Sequence, residues 1–263
     1  MRLANYGFDL SSRSSRLWFL LFLFSILGIR SYATPHDWRS SKGWEYEWVA
    51  LPLASGHGYS FEMERAWLGP YTGVSLYSPT AWIEPLHTVI MAASFRMFGE
   101  HGRLALVLLN FVWVGAACWF VFLIVERMIG FLTGIVTAVL FALLPFGKTD
   151  LLLYIGNAGI ASSLFIVCAF LLIRCLERVS VARSLALGSV IGIANLTHAG
   201  SLLFAPLSVV LILIGSRSSG VERWKSAALV LITAICVVAP WTARNYLTFE
   251  RLVVIRNGFG FQL

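Results

Sequence analysis

Long apolar runs occupy residues 104–125, 131–146, 151–173 and 227–241, each with an almost charge-free interior. A helix needs roughly 20 mostly apolar residues to cross about 30 Å of hydrocarbon, so these runs predict membrane-spanning helices. Residues 185–214 form a still longer apolar stretch, interrupted by Asn195-Leu196-Thr197-His198-Ala199-Gly200. Polar residues and glycine at that point predict two short helices joined by a tight turn on one membrane face. The first apolar stretch, 17–29, is short, follows Arg13 and Arg16, and precedes Ser31-Tyr32-Ala33. That arrangement fits a cleaved signal peptide as well as a retained first helix, and both leave the amino terminus cytoplasmic. The whole pattern predicts an all-α, polytopic transmembrane bundle of about seven spans in a single membrane-embedded domain. Its parts are a first span at 16–33, a long first outer loop at 34–102, the remaining spans at 103–246 and an outer tail at 247–263.

The loop is the sizeable polar region, rich in Trp, Tyr, Gly and Pro. Loops held on a rigid scaffold carry function disproportionately, so candidate chemistry is sought there first. Trp44-Glu45-Tyr46-Glu47-Trp48-Val49-Ala50-Leu51 predicts a short helix at the membrane surface, and Ser55-Gly56-His57-Gly58-Tyr59 a turn. Pro79-Thr80-Ala81-Trp82-Ile83-Glu84-Pro85 reads as an extended segment stiffened by its prolines. Residues 86–98 are apolar, too short to span and carry Arg96, which predicts an interfacial helix. Surface helices in such a loop can roof a cavity at the outer face.

Composition excludes a soluble domain: 58% of residues are hydrophobic and 13% charged, with a mean hydropathy of +0.79, against about 25% charged in soluble proteins. The net charge of +7 is spread over loops without an aromatic-basic stripe. That pattern points to anionic lipid headgroups and away from nucleic acid. The short loops predicted to be cytoplasmic hold Arg127, Arg174, Arg178, Arg183, Arg217, Arg223 and Lys225 against Glu126, Glu177 and Glu222, as the positive-inside rule requires. Basic residues are equally numerous outside, but many of those sit in the long first loop, where the rule is weak. Cys118, Cys168, Cys175 and Cys236 all fall in predicted spans and read as packing residues.

The middle of each predicted span is free of charge, which argues against a proton relay or an ion conduit. Polar and charged candidates collect instead at predicted outer helix ends: Arg30, Lys148, Asp150, Asn157, His198, Arg244 and Asn245. The last span ends in Pro240-Trp241-Thr242-Ala243-Arg244-Asn245-Tyr246, and Arg251-Leu252-Val253-Val254-Ile255-Arg256-Asn257-Gly258 follows. A guanidinium at that depth is suited to the phosphate of a lipid carrier. An ordinary Trp-Arg interface anchor explains the same residues. His57 and His198 lack companion ligands at metal-binding spacing, no cofactor is identified, and a divalent metal stays open.

Read in order, these segments resemble the C-type, polyprenyl-phosphate-sugar-dependent glycosyltransferases, the superfamily of protein O-mannosyltransferases and aminoarabinose transferases. The resemblance spans nearly the whole chain. It is carried by Glu45 with Ala50 and Gly56-His57-Gly58-Tyr59, by Pro79-Thr80-Ala81-Trp82 and Pro85 leading to Phe95-Arg96-Met97-Phe98-Gly99, and by Pro240-Trp241-Thr242-Ala243-Arg244-Asn245-Tyr246 closing with Asn257-Gly258. It implies transfer of a sugar from a polyprenyl monophosphate, with an acid of the first outer loop deprotonating the acceptor. The matching acid is Glu45, with Asp37 and Glu47 as competitors and a solvated loop charge as the plain alternative. The leaving phosphate needs fixed positive partners; Arg244 with Asn245 comes first, then Arg30, Arg256 and Lys148, where snorkelling from a helix end equally explains Arg30 and Lys148. Asp150 matches a functional acid of several relatives, and local pairing with Lys148 accounts for it as well. Trp82 and Pro85 complete the candidate site.

Two positions depart from the relatives. Glu84 stands where some carry a lysine before the proline, and a carboxylate there repels phosphate; His87 stands where an aromatic is common. The resemblance also implies further helices or an outer domain beyond Leu263. The expected protein is therefore an inverting glycosyltransferase of a bacterial inner membrane, its site facing the periplasm, with membrane lipids, a polyprenyl-phosphate sugar and a possible partner subunit as its partners. A polyprenyl-lipid transporter and a catalytically silent, carrier-binding subunit are the rival readings.

Overall fold

The computed structural model describes residues 13–33, 45–62, 77–144 and 155–257. Helices form almost everywhere the apolar pattern requires them: α1 (Arg13–Ala33), α2 (Glu45–Ala54), α3 (Pro85–Phe98), α4 (Gly102–Met128), α5 (Phe131–Leu143), α6 (Ala158–Glu177), α7 (Val181–Thr197), α8 (Phe204–Gly215) and α9 (Gly220–Phe249). The strands are β1 (Ser60–Glu62) and β2 (Tyr77–Pro79), an antiparallel pair that aligns Ser60 with Pro79 and Glu62 with Tyr77.

Four helical segments among the described residues have the length and apolarity to cross a membrane: Ser15–Tyr32, Pro85–Met128, Ala158–Glu177 and Gly220–Phe249. Three shorter apolar helices, Phe131–Leu143, Val181–Thr197 and Ala199–Gly215, accompany them. The chain is an all-α, polytopic membrane protein. Among the described residues of this stretch, 155–157 are non-helical and α6 begins at Ala158, after Asn157. The Asn157 side chain is held instead by the Thr197 carbonyl at 2.9 Å, which ties the start of α6 to the end of α7.

Among the described residues the core falls into two large clusters joined through Ile90 of α3, which packs against both, and a small third one of Val49, Tyr59 and Ile83 under α2. One unites α1, α4 and α5 around Phe122, Leu23 and Leu27; the other unites α6 to α9 around Leu187, Ile191 and Val230. The closest seam lies between α7 and α9. A Cβ at Gly188 would lie 2.6 Å from the Val230 carbonyl oxygen, and one at Gly192 would lie 2.6 Å from Val237 Cβ. Glycines four residues apart let two backbones approach as they do in membrane helix pairs. Ser184 and Ser226 hydroxyls, 2.7 Å apart, close the same seam at one end. Cys118, Cys168 and Cys175 are buried in this packing, whereas Cys236 faces outward.

Interhelix contacts define two ends. At one, Arg16 pairs with Glu126 at 3.0 Å and Arg127 with Glu177, while Arg183 donates to the Arg174 and Arg178 carbonyls at the end of α6. At the other, Arg30 of α1 donates to the Ala142 carbonyl of α5 at 2.9 Å, and α2, α3 and the β pair gather over α7 and α9.

Candidate functional site

Tyr46, Val49, Ala50 and Leu53 recur at helical spacing on α2, and this stripe is buried or partly buried against its neighbours. Burying that stripe leaves Glu45 exposed in the first turn, where a carboxylate also suits the helix dipole. Segment 80–84, which bends at Trp82 and Ile83, passes beside it. Trp82 Nε1 donates to Glu45 Oε2 at 3.3 Å, and the Trp82 ring is itself 43% exposed. Glu47, on another face of α2, is paired with Arg103 of α4 at 2.9 Å, so its charge is balanced.

The next bridge between segment and helix is buried. Glu84 is 0% exposed. Its Oε2 accepts from the Tyr46 hydroxyl at 3.0 Å, and its Oε1 accepts from the Ala199 amide at 3.0 Å and from Arg256 at 3.2 Å. Three distant parts of the chain, α2, the turn after α7 and the tail after α9, thus meet on one carboxylate. Tyr59 lies alongside, its hydroxyl 3.0 Å from the Ile83 carbonyl and 3.2 Å from the Thr88 hydroxyl. Burial pushes the Tyr59 phenol above its usual range, so it stays a protonated donor.

Arg244 fastens the β pair to the end of α9. It donates to the Thr80 carbonyl at 2.9 Å and the Tyr59 carbonyl at 3.0 Å, with its guanidinium carbon 5.0 Å from the Trp241 ring centre and 5.5 Å from that of Tyr59. Asn245 is fully buried and donates to the Val253 carbonyl at 3.0 Å, turning the tail back; Asn257 then donates to the Ala81 carbonyl at 2.9 Å. Glu45, Arg244 and Arg256 therefore meet segment 80–85, which itself holds Trp82 and Pro85, while Asn245 meets Arg244 and the tail. Arg30 and Glu47 engage α5 and α4 instead. Asp37, Lys148 and Asp150 lie outside the described residues. His57 stacks on Tyr77 at 3.9 Å, and His87 meets the Ile155 carbonyl at 2.7 Å. Among the described residues no group of three His, Cys, Asp or Glu side chains is gathered to hold a metal ion.

Glu84 is the residue that sequence reasoning misjudged. It enters the site as the centre of a buried network, and its charge is answered by Arg256 from 172 positions away. A Glu-Pro step does signal a helix start, and α3 begins at Pro85; nothing local signals the partner.

Residues 79–243 match the dolichyl-phosphate-mannose-protein mannosyltransferase family. The chain belongs to this family. It is thus a glycosyltransferase-type membrane protein of the class that uses polyprenyl-phosphate sugars. The matched segment contains Trp82, Glu84, Pro85 and α3 to most of α9, and leaves Glu45, Arg244, Asn245 and Arg256 on its flanks. No curated protein matches the sequence.

Proposed function

We propose that this mannosyltransferase-family chain is an inverting transferase that moves a sugar from a polyprenyl monophosphate to an acceptor hydroxyl at the outer face of a bacterial cell-envelope membrane. The observation that carries the reading is Glu45, an exposed carboxylate facing Trp82 on a segment that Arg244 fastens to the end of α9. Glu45 takes the acceptor proton, the acceptor oxygen attacks the anomeric carbon, and the carbon–oxygen bond to phosphate breaks with its electron pair leaving on the carrier. Attack opposite the leaving group inverts the anomeric centre. Asp37 is the second candidate base; Glu47 is less suited, because Arg103 holds its charge.

Negative charge developing on the leaving phosphate is stabilised by positive groups already fixed in position. Arg244 with Asn245 is the first choice, since its two carbonyl contacts and three aromatic neighbours hold it in one orientation. Arg256, Arg30 and Lys148 are the secondary candidates. A groove of about 620 Å³ lined by Leu202, Ala205, Ile235, Val238, Thr242 and Tyr246 runs to the same end of α9. Its almost wholly apolar walls suit an isoprenoid chain.

The test is transfer by the purified chain from labelled polyprenyl-phosphate mannose, the sugar in the family's name, to membrane acceptors. Wild type transfers label and Glu45→Gln loses nearly all of it; equal transfer by both removes Glu45 as base. A second reading, a silent carrier-binding subunit, is favoured by one observation: Arg256 is already answered internally by Glu84. On that reading the chain retains the carrier lipid but transfers only when a partner is present, and Glu45→Gln leaves that transfer unchanged.

A further inference from the structure

Segment 80–84 and helix α2 are joined by two adjacent rungs. The first, Trp82 to Glu45, spans 3.3 Å at the surface, where water competes for both groups. The second, Glu84 to Tyr46, spans 3.0 Å and is buried. The rungs use consecutive positions on the helix, Glu45 and Tyr46, and positions two apart on the segment, Trp82 and Glu84. Rotation of α2 about its axis would break both together.

The buried rung is the one able to hold that rotation. A charged acceptor makes stronger hydrogen bonds than a neutral one, and a dry environment strengthens them further. The other groups on Glu84 fix the carboxylate at its second oxygen: the Ala199 amide belongs to the turn between α7 and α8, and Arg256 belongs to a tail anchored by Asn245 and by the Ala81 carbonyl. Burying a carboxylate is unfavourable, and a pair of apolar residues would hold helices together at least as well. Its retention fits a demand for one exact geometry.

We propose that Glu84 is a positioning residue: by clamping Tyr46 against the Ala199 amide and Arg256, it fixes the rotation of α2 and so the aim of the Glu45 carboxylate. The inference rests on Glu45 being the base. Arg256 is then the charge partner that keeps Glu84 in place, and the tail after α9 contributes to the site through it.

The experiment compares the full chain carrying Glu84→Gln, Glu45→Gln and both together, assayed with labelled polyprenyl-phosphate mannose and membrane acceptors. Glu84→Gln keeps the side-chain size and loses the charge. It is expected to lower kcat about tenfold or more with KM for the donor within about twofold, and to cause no further loss in the Glu45→Gln background. Losses that multiply in the double variant, or an unchanged kcat in Glu84→Gln, overturn the positioning role while leaving Glu45 as base. Full activity in Glu45→Gln overturns the base, and the positioning role with it. A readout independent of turnover is crosslinking of the Glu45→Cys/Trp82→Cys pair by a short bismaleimide. Its yield should fall several-fold when Glu84→Gln is added; an unchanged yield overturns the inference.

Discussion

The two ends of the helix bundle both hold charged residues together, but by opposite means. At the basic end Arg127 and Glu177 meet with side chains 42% and 34% exposed, and Arg16 with Glu126 is similarly open. At the site end Glu84 and Arg256 pair with side chains 1% and 11% exposed. An exposed pair exchanges water for a partner of similar quality, and either member can be lost at little cost. A buried pair has no such exchange, so each member depends on the other being present. The basic end is thus replaceable surface chemistry, while the site end is a fixed framework from which Glu45 projects to the surface.

The largest contrast is expected in activity. Glu45→Gln should reduce sugar transfer by about 100-fold or more, the usual contribution of a positioned general base, whereas Glu177→Gln should stay within about twofold. Comparable losses from both would erase the functional difference between the ends. The next contrast is in stability. Arg256→Ala leaves the Glu84 carboxylate buried without its cation and should destabilise the chain by about 3–5 kcal/mol, read as a lower melting temperature in detergent. Arg127→Ala should cost no more than about 1 kcal/mol. Restoring neutrality with Glu84→Gln in the Arg256→Ala chain should recover part of the loss; no recovery would mean that packing of the Arg256 stem, and not its charge, holds the tail.

Arg244→Lys sharpens the same point at smaller scale. Only a forked guanidinium reaches the Tyr59 and Thr80 carbonyls together, and lysine satisfies at most one of them. The Tyr59 carbonyl also accepts from the Thr80 amide at 3.2 Å, so the expected cost is about 1 kcal/mol from the one hydrogen bond lost, measured by thermal unfolding. A lysine variant as stable as wild type would make Arg244 a surface anchor of the ordinary kind.

How far these features were legible in the sequence follows from the range of the interactions behind them. Apolar runs announce the helices because burial against neighbours or lipid acts at every residue of a run. The run at 227–241 understates α9, which starts at Gly220 where Ser219 and Glu222 cap it reciprocally. The short helix at Glu45 and the helix after Pro85 were equally local, and both form; the segment expected to be extended over 79–85 instead bends at Trp82 and Ile83 before Pro85 opens α3. The tie between Asn157, just before α6, and the end of α7 was not legible, because Asn157 answers Thr197 and no neighbour in sequence. Glu84 was least legible of all: its burial depends on α2, on Ala199 and on Arg256, and no window of the chain contains them together. Reading it as a charge that repels phosphate treated as open a carboxylate that the fold encloses.

The smallest effect tests the basic end on its own terms. Arg16, Arg127, Arg174, Arg178, Arg183, Arg217, Arg223 and Lys225 lie near Glu126, Glu177 and Glu222 there, so the end carries excess positive charge that pairs alone do not neutralise. Screening shortens the reach of exposed charges from about 10 Å at 0.1 M salt to about 3 Å at 1 M. The Arg127–Glu177 pair should therefore weaken as salt rises, and the stability difference between wild type and Arg127→Gln, at most about 1 kcal/mol at low salt, should shrink toward zero. The Glu84–Arg256 pair is enclosed by protein and should not respond. Unfolding the wild type, Arg127→Gln and Arg256→Ala chains across the same salt range compares the two ends directly. If the Arg256→Ala deficit shrank in parallel with that of Arg127→Gln, solvent ions would be reaching both pairs, and the site end would be no more enclosed than the basic one.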